Sequence, residues 1–426
     1  MSSIKVIGGG KLSGEIKIQG SKNAALPIIA ATILNHGIAI LRNCPRILDV
    51  FYMIKVLREL GAVANWEGNT LMVDATNITS TKVSEGSVQK MRSSILFLGA
   101  LLGRNHEVSI AYPGGCLIGK RPIDYHLDSI KKMNVSQEFQ GDDKGIIHCQ
   151  TQKIIGTDIF LKFPSVGATQ NVILTAVLGE GVTRIFNAAR EPEVMELCKF
   201  LVEAGARICG KGTAFIEIEG VRCLHDVEYT LPADRIVAGT YMAAVAASGG
   251  ELVLRNPPTR QIDSVIRVLD KIGCDIKETD EYMRIRCDKR PSSYEMLRTE
   301  PYPGFPTDMQ SQLMTVLSIA DGKSTIVEEI FESRFQNANE LIKMGAKITV
   351  DEANKRAIIS GVSYLEGAVV KAHDLRAGAA LVIAGLVANG TTIVRDATSI
   401  ERGYEDICRD LNYLGANTKY CSDNIL

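Results

Sequence analysis

The sequence predicts an α/β protein made of six copies of an α+β unit, three in each of two domains. One observation is a motif of leucine or isoleucine, two variable residues, an apolar residue and Gly-Ala, intact at 57–62, 201–206 and 341–346. With three degenerate copies, its glycine position falls at residues 61, 134, 205, 273, 345 and 415, a period of about 70 residues. The other is length, because 426 residues exceed one ordinary core.

Each copy repeats the same order of predicted elements. An apolar stretch typical of a helix comes first, at residues 22–34, 92–102, 166–178, 234–247, 308–319 and 375–388. A short β-branched run such as 37–41 or 182–186 then predicts a strand. A second helix leads to the Gly-Ala turn, and further strands such as 71–73 and 215–218 complete the unit. Six such modules divide into two groups of three near residues 230–232.

The N-terminal segment precedes the first copy. Residues 4–7 and 15–18 have the pattern of strands and could pack with the second half of the chain. The triplet Gly8-Gly9-Gly10 between them is interpreted as a hairpin turn. It lacks both the GxGxxG spacing and the Gly-Lys-Ser/Thr ending of a phosphate loop.

Composition excludes several classes of function. The net charge is -1 and the chain has no run of Lys or Arg, so neither nucleic acid nor membrane is expected as a partner. No apolar signal core opens the sequence and no apolar stretch approaches about 20 residues, which predicts a cytoplasmic protein. The 10 cysteines contain no CxxC spacing and the 6 histidines are scattered, so we expect mostly buried thiols and no bound metal.

Charged residues at the predicted helix starts carry a functional signal. Lys22, Arg92 and Arg376 are cations at helix N-termini, where they oppose the helix dipole, so helix stability does not explain them. They indicate an anionic ligand, since several helix N-termini together with arginines bind phosphate compounds well. Four helix starts, including the one that carries Arg376, have residues that suit N-caps: Ser165, Asp234, Asp308 and Asp374.

The segment 112–126 combines a thiol with charged groups. Gly114 and Gly115 allow Cys116 to lie on a loop that could cover a ligand. Arg121 offers a planar fork for phosphate or carboxylate, and Asp124 can accept hydrogen bonds. Taken alone, Gly-Gly-Cys is more often a surface turn with an inert cysteine, and only the rest of the chain favours a reactive one.

Five separated motifs, at 22–27, 113–124, 165–169, 301–308 and 402–405, resemble those of the enolpyruvyl transferases. The resemblance extends to about residue 416. It implies two inside-out α/β domains of three units each, closing on a cleft between them. The first domain would span 22–230, and the second would combine 1–21 with 231–426.

The resemblance also implies a reaction. The enolpyruvyl group of phosphoenolpyruvate would pass to the 3-hydroxyl of UDP-N-acetylglucosamine through addition to a tetrahedral ketal and elimination of phosphate. No metal or organic cofactor would be required, and the oligomeric state stays open. The residues implied in the chemistry are Cys116, Asp308, Lys22, Asn23 and Arg402.

Each implied role follows from what the reaction needs. Cys116 would protonate the methylene carbon and Asp308 would take the proton of the 3-hydroxyl. Asn23 would steady the substituents of the tetrahedral carbon. Lys22 and Arg121 are expected to contact the phosphate, and Arg334 and Arg376 the carboxylate. Arg402 is expected to contact whichever of these two groups lies nearer to it. The expected nucleotide-sugar contacts are Arg92, Arg121, Pro122, Ile123, Asp124, Tyr125, Lys162, Ser165, Val166, Gly167, Asp308 and Ile330.

Two other functions fit the same fold. One is transfer to a different acceptor such as shikimate 3-phosphate, against which Cys116 and the segment 121–124 argue. The other is a non-catalytic sugar-nucleotide sensor. A sensor needs neither an acid nor a base, so the presence of both Cys116 and Asp308 argues against it.

Overall fold

The computed structural model of the chain describes residues 2–113, 123–140 and 145–422. These residues fall into two compact units. The central unit lies within residues 20–232, and the terminal unit combines residues 2–19 with 233–422. None of the helices in the described ranges is long and apolar enough to cross a membrane.

Each unit contains three helices that are buried on nearly all sides, with more amphipathic helices around them. In chain order the described α-helices are α1 (Lys22–Ala31), α2 (Leu48–Leu60), α3 (Glu85–Val88), α4 (Leu96–Asn105), α5 (Asp124–Lys132), α6 (Val166–Ala176), α7 (Pro192–Glu203), α8 (Arg235–Ser248), α9 (Asp263–Lys271), α10 (Gln310–Ser318), α11 (Gln336–Lys343), α12 (Leu375–Val387) and α13 (Ile407–Tyr413). The buried helices are α1, α4 and α6 in the central unit and α8, α10 and α12 in the terminal unit. They coincide with the six predicted apolar stretches, which are thereby confirmed.

The strands form the outer layer. In chain order they are β1 (Ser2–Ile7), β2 (Leu12–Lys17), β3 (Ile38–Arg42), β4 (Val63–Glu67), β5 (Thr70–Asp74), β6 (Lys82–Val83), β7 (Glu107–Ala111), β8 (Ser136–Gln140), β9 (Ile146–Gln150), β10 (Asp158–Phe160), β11 (Val182–Phe186), β12 (Arg207–Cys209), β13 (Phe215–Glu219), β14 (Val227–Thr230), β15 (Gly250–Arg255), β16 (Asp275–Glu278), β17 (Tyr282–Cys287), β18 (Met296–Thr299), β19 (Lys323–Glu328), β20 (Lys347–Asp351), β21 (Arg356–Ser360), β22 (Leu365–Glu366), β23 (Val369–Lys371), β24 (Ala388–Asn389), β25 (Thr391–Arg395) and β26 (Asn417–Ser422).

The described strands pair into six four-stranded sheets and one two-stranded pair, β22-β24. The central unit has the orders β14-β3-β5-β4, β6-β7-β9-β8 and β10-β11-β13-β12. The terminal unit has β16-β17-β15-β2, β18-β19-β21-β20 and β23-β25-β1-β26. Burial alternates along strands such as β9 and β11, so one face of each sheet packs on the helices and the other meets solvent. Helices inside and sheets outside form the inside-out α/β fold that the sequence resemblance implied.

The repeat is visible as a backbone conformation. All six glycine positions of the motif have positive φ, with values of 108° at Gly61, 70° at Asn134, 104° at Gly205, 107° at Gly273, 90° at Gly345 and 95° at Gly415. Glycine adopts this left-handed conformation without steric cost, and asparagine is among the few other residues that tolerate it. At the first copy, the N–H of Ala62 donates to the carbonyl of Leu57 and ends α2. The motif therefore repeats because each second helix needs the same C-terminal turn.

The interpretation of Gly8-Gly9-Gly10 as a hairpin turn is wrong. Strand β1 lies between β25 and β26 and is antiparallel to both, whereas β2 is parallel to β15 in a different sheet. The glycines therefore join two sheets. A methyl group on Gly8 would lie 1.9 Å from the carbonyl oxygen of Ala388, so this backbone approaches the end of α12 too closely for a side chain. The expectation that both opening strands pack with the second half of the chain is confirmed.

Candidate active site

A cluster of one carboxylate and two arginines lies in the terminal unit. Asp308 belongs to the 3₁₀ segment Thr307–Met309 that precedes α10. Its Oδ1 accepts from Nη2 of Arg334 at 3.1 Å, and its Oδ2 accepts from Nη2 of Arg376 at 3.0 Å. Asp308 does not cap the helix, contrary to what its position predicted, because both of its oxygens face arginines. Three segments distant in sequence therefore bring one potential base and two cations together.

Burial and charge oppose each other in this cluster. Arg334 and Arg376 are only 4% and 3% exposed. Burial is the largest single influence and disfavours the charged form of Arg376, but Asp308, Tyr404 and Asp234 together outweigh that cost and raise the pKa of the guanidinium. Within the described residues, Nε of Arg334 and Nη1 of Arg376 are buried and have no hydrogen-bond acceptor. Because unsatisfied buried donors are costly, these two groups are suited to an anionic ligand.

Glu328 holds the backbone next to this cluster in place, and the sequence analysis missed it. The residue ends β19 and is fully buried. Its carboxylate accepts from the backbone N–H of Ile330 at 3.0 Å, the N–H of Phe331 at 3.1 Å and the hydroxyl of Thr307 at 3.0 Å. It therefore fixes the segment that carries Asp308 and the one that carries Ile330. Its only signal in the sequence was an acidic residue at the end of an apolar strand.

Gln19 was also missed, and it holds the turn that follows Arg402. Arg402 ends the 3₁₀ segment Ala397–Arg402 and is partly buried. The side chain of Gln19 donates to the carbonyl of Gly403 at 3.1 Å and accepts from the N–H of Glu405 at 2.9 Å. One amide from the N-terminal segment therefore orients a loop from the end of the chain.

Lys22 and Asn23 begin α1 in the central unit, and both have acidic neighbours. Nζ of Lys22 lies 2.8 Å from Oδ2 of Asp49, and the two side chains are 11% and 2% exposed. Nδ2 of Asn23 donates to Oε1 of Glu193 at 3.4 Å. Lys22 thus has a carboxylate beside it, as Arg376 has Asp308. A cation at these helix starts does not by itself require a ligand, and the predicted anion contacts remain predictions.

Several predicted nucleotide-sugar residues line one cleft of about 500 Å³ in the central unit. Its walls are formed by Asp124, Tyr125, Asp128, Ser129, Lys131, Lys132, Phe160, Leu161 and Lys162. Asp124, Tyr125 and Lys162 were predicted, whereas Lys131 and Lys132 were not. The two lysines end α5, where cations are common because they stabilise the helix C-terminus, so their positions did not mark them as ligand contacts.

The other predicted contacts of the central unit are placed as follows. Ser165 caps α6, with its Oγ accepting from the N–H of Ala168 at 3.4 Å, and Val166 and Gly167 form the first turn. Arg92 starts the 3₁₀ segment Arg92–Ile95 before α4. Ile123 is only 1% exposed, backbone and side chain together, so it offers almost no surface to a ligand. The predicted residues Cys116, Arg121 and Pro122 lie outside the described part of the chain.

Metal-ligating side chains do not gather in the described ranges. Residues 2–113, 123–140 and 145–422 contain no group of three or more His, Cys, Asp or Glu placed to hold a metal ion. These residues form instead a carboxylate between two arginines, a buried lysine–aspartate pair and a polar cleft.

Comparison with known proteins defines the class. Residues 6–411 match the family model described as EPSP synthase (3-phosphoshikimate 1-carboxyvinyltransferase). The fold is similar to that of the enolpyruvyl transferase NikO from Streptomyces tendae, with a TM-score of 0.88 at 24% identity over 99% of each chain. It is also similar to that of EPSP synthase from Acinetobacter baumannii, with a TM-score of 0.76 at 17% identity over 99% of this chain and 100% of the other. The chain belongs to the EPSP synthase family of enolpyruvyl transferases.

Within that family, curated relatives share one name. The chain is 47% identical to UDP-N-acetylglucosamine 1-carboxyvinyltransferase 2 of Caldanaerobacter subterraneus subsp. tengcongensis, over 98% of this chain and 99% of the relative. It is 43% identical to UDP-N-acetylglucosamine 1-carboxyvinyltransferase of Clostridium botulinum over the same shares.

Proposed function

We propose that this chain transfers the enolpyruvyl group of phosphoenolpyruvate to the 3-hydroxyl of UDP-N-acetylglucosamine and releases phosphate. This is the first committed step of peptidoglycan precursor synthesis. Relatives that carry the name of this activity match at 47% and 43% identity over nearly their whole length. The structural observation that carries the proposal is the contact of Asp308 with two buried arginines, because it combines a base with a binding site for an anionic donor.

The residues of the terminal unit hold the donor and activate the acceptor. Arg334 and Arg376 donate hydrogen bonds to the carboxylate of phosphoenolpyruvate, which satisfies the buried N–H groups that have no acceptor among the described residues. As the arginines turn to the ligand, Asp308 loses partners and becomes a better base. It then takes the proton of the 3-hydroxyl while the oxygen bonds to C2 of phosphoenolpyruvate, a step for which a positioned base contributes about 10² to 10⁴ in rate. Arg402 binds the phosphate or the carboxylate, whichever lies nearer.

The residues of the central unit hold the nucleotide sugar and complete the proton transfers. Cys116 gives its proton to the methylene carbon, and the resulting ketal carries a methyl group. Lys22 and Arg121 bind the phosphate, which leaves as the methyl group returns a proton to the thiolate of Cys116 and the double bond forms again. The leaving phosphate takes up the proton that Asp308 removed from the 3-hydroxyl. Asn23 bonds to the substituents of the tetrahedral carbon. Cys116 and Asp308 thus end the reaction in the protonation states in which they began it.

The nucleotide sugar lies along the cleft that Tyr125 and Lys162 line. Contacts come from Arg92, the segment 121–125, the segment 165–167 and, in the terminal unit, Asp308 and Ile330. The two enzyme domains comprise residues 22–230 and residues 1–21 with 231–426. The enzyme acts in the cytoplasm, a location that the free thiols of the described cysteines support.

The alternative acceptor is shikimate 3-phosphate, the compound in the description of the family model, whereas the named relatives favour UDP-N-acetylglucosamine. One assay separates the candidates: the purified chain is incubated with phosphoenolpyruvate and either acceptor, and both released phosphate and product mass are measured. We expect phosphate release and an enolpyruvyl adduct with UDP-N-acetylglucosamine only. Turnover only with 3-phosphoshikimate would establish the alternative. Binding of the nucleotide sugar with no turnover would indicate a sensor.

A further inference from the structure

His126 is a buried residue that the sequence analysis did not assign to the site. It lies in α5, directly after Asp124 and Tyr125, which line the cleft. Its side chain points away from solvent and is 7% exposed. Because buried polar groups need partners, the contacts of this imidazole indicate what it does.

Asn171, in the interior of α6, bonds to this imidazole. Its Oδ1 accepts from the N–H of Gly99 at 2.7 Å, which fixes the orientation of the amide. Its Nδ2 therefore donates, to the carbonyl of Ile95 at 3.1 Å and to Nδ1 of His126 at 2.7 Å. An imidazole that accepts at Nδ1 is neutral and carries its proton on Nε2.

The backbone packs closely around His126 and Asn171. A methyl group on Gly99 would lie 2.6 Å from Oδ1 of Asn171, so α4 and α6 meet at a distance that only glycine allows. A methyl group on Gly167 would lie 2.9 Å from Cε1 of His126, so the ring packs directly against the first turn of α6. The imidazole thus touches the backbone of a predicted substrate-binding segment.

Three segments of the central unit converge on this pair. His126 continues the segment that holds Asp124 and Tyr125. Its ring supports Gly167, and Asn171 binds the carbonyl of Ile95, which ends the short 3₁₀ segment that begins at Arg92. Each segment contributes a residue to the proposed nucleotide-sugar site.

We propose that His126 and Asn171 are positioning residues that hold the three nucleotide-sugar-binding segments of the central unit in register. This inference rests on the proposed function and deepens it. The pair acts through Arg92, Tyr125 and Gly167, and specifically on the sugar nucleotide, since phosphoenolpyruvate is bound mainly by other residues. Burial, and then the charge of Arg92, lower the pKa of His126 to about 3, so Nδ1 stays an acceptor at neutral pH.

The test compares two substitutions of His126. His126→Asn keeps an acceptor near the position of Nδ1, whereas His126→Leu removes it. We expect His126→Leu to raise KM for UDP-N-acetylglucosamine, and its Kd measured by calorimetry, about tenfold, the effect of one lost hydrogen bond to a buried partner. KM for phosphoenolpyruvate should change less than about twofold, and His126→Asn should restore most of the affinity.

His148→Leu is the matched control. His148 lies in β9 of the same unit and is partly buried. Its Nδ1 lies 2.9 Å from Oγ of Ser109, and it has no part in the proposed site. It should leave both KM values unchanged. If His126→Leu does not fold, Asn171→Ser provides the second variant, because the shorter side chain cannot reach the imidazole. The same selective loss of sugar-nucleotide affinity is expected.

The possible outcomes separate the two proposals. A wild-type chain that does not turn over UDP-N-acetylglucosamine overturns the proposed function and this inference with it. An active wild type whose folded variants keep the wild-type KM for the sugar nucleotide overturns this inference alone. So does an equal loss for both substrates without recovery in His126→Asn, since that pattern means a general structural role.

Discussion

The neutral state of His126 should make the central unit sensitive to acid. The pKa of this imidazole is lowered from 6.5 to about 3, first by burial and then by Arg92. Below pH 6.5 the imidazole of His126 is protonated in the unfolded chain, whereas in the folded chain it stays neutral until the pH falls to about 3. Stability from this residue is therefore complete above pH 6.5 and is lost as the pH falls toward 3.

The structure sets the size of the effect. The difference between a pKa of 6.5 and one of about 3 corresponds to about 5 kcal/mol over the whole window, at about 1.4 kcal/mol per pH unit. At pH 5 the loss relative to pH 8 should be about 2 kcal/mol. His126→Asn cannot titrate, so the variant should lack this part of the loss although its stability at pH 8 is lower.

Urea unfolding at pH 8 and pH 5 tests the expectation. Trp66 is the only tryptophan of the chain and lies in β4 of the central unit, so its fluorescence reports the unit that contains His126. The contribution of the other titrating groups cancels when the loss of stability between pH 8 and pH 5 is compared for the variant and the wild type. A variant that loses as much stability between the two pH values as the wild type would refute the reasoning.

Three further predictions concern the proposed chemistry. Asp308→Asn should lower kcat about 10³-fold in the phosphate-release assay, and a variant with half the wild-type rate would exclude Asp308 as the base. Asp49→Asn should destabilise the central unit by about 3 kcal/mol, because it removes the negative charge beside the buried Lys22. Adding Lys22→Met should recover part of this loss, as measured by urea unfolding. A double variant that is no more stable than Asp49→Asn would contradict the pairing. A phosphonate epoxide such as fosfomycin should alkylate Cys116 ahead of the exposed Cys209, as peptide mapping would show, and labelling of Cys209 instead would argue against a cationic pocket at the loop.

The repeat and its helices could be predicted because they depend on local chemistry. The stretch 234–247 was predicted as a helix, and α8 spans Arg235–Ser248 with Asp234 as its cap. The cap is local, since its Oδ1 accepts from N–H groups two and three residues on. The turn at Gly345 is equally local, because positive φ is a property of one residue.

Features that depend on distant partners could not be predicted in the same way. The sequence predicted that strand β1 packs with the second half of the chain, but no pattern near Gly8 reveals that it pairs with β25 and β26 in a different sheet from β2. The contact between Lys22 and Asp49 was similarly invisible, because nothing in the sequence near Lys22 indicates which carboxylate lies beside it. His126 and Asn171 lie 45 residues apart, and each alone is an ordinary polar residue in a helix.

The second copy of the repeat departs from its neighbours in the same way in both units. Four buried helices begin after residues whose side chains accept backbone N–H bonds: Ser21, Ser165, Asp234 and Asp374. The helices α4 and α10 instead follow the 3₁₀ segments Arg92–Ile95 and Thr307–Met309, at whose starts no side chain of the described residues forms a cap. A missing cap costs about 1 kcal/mol. Each of these two segments carries a proposed substrate contact, Arg92 in one unit and Asp308 in the other, so a residue of the proposed site stands near a helix start that has no cap.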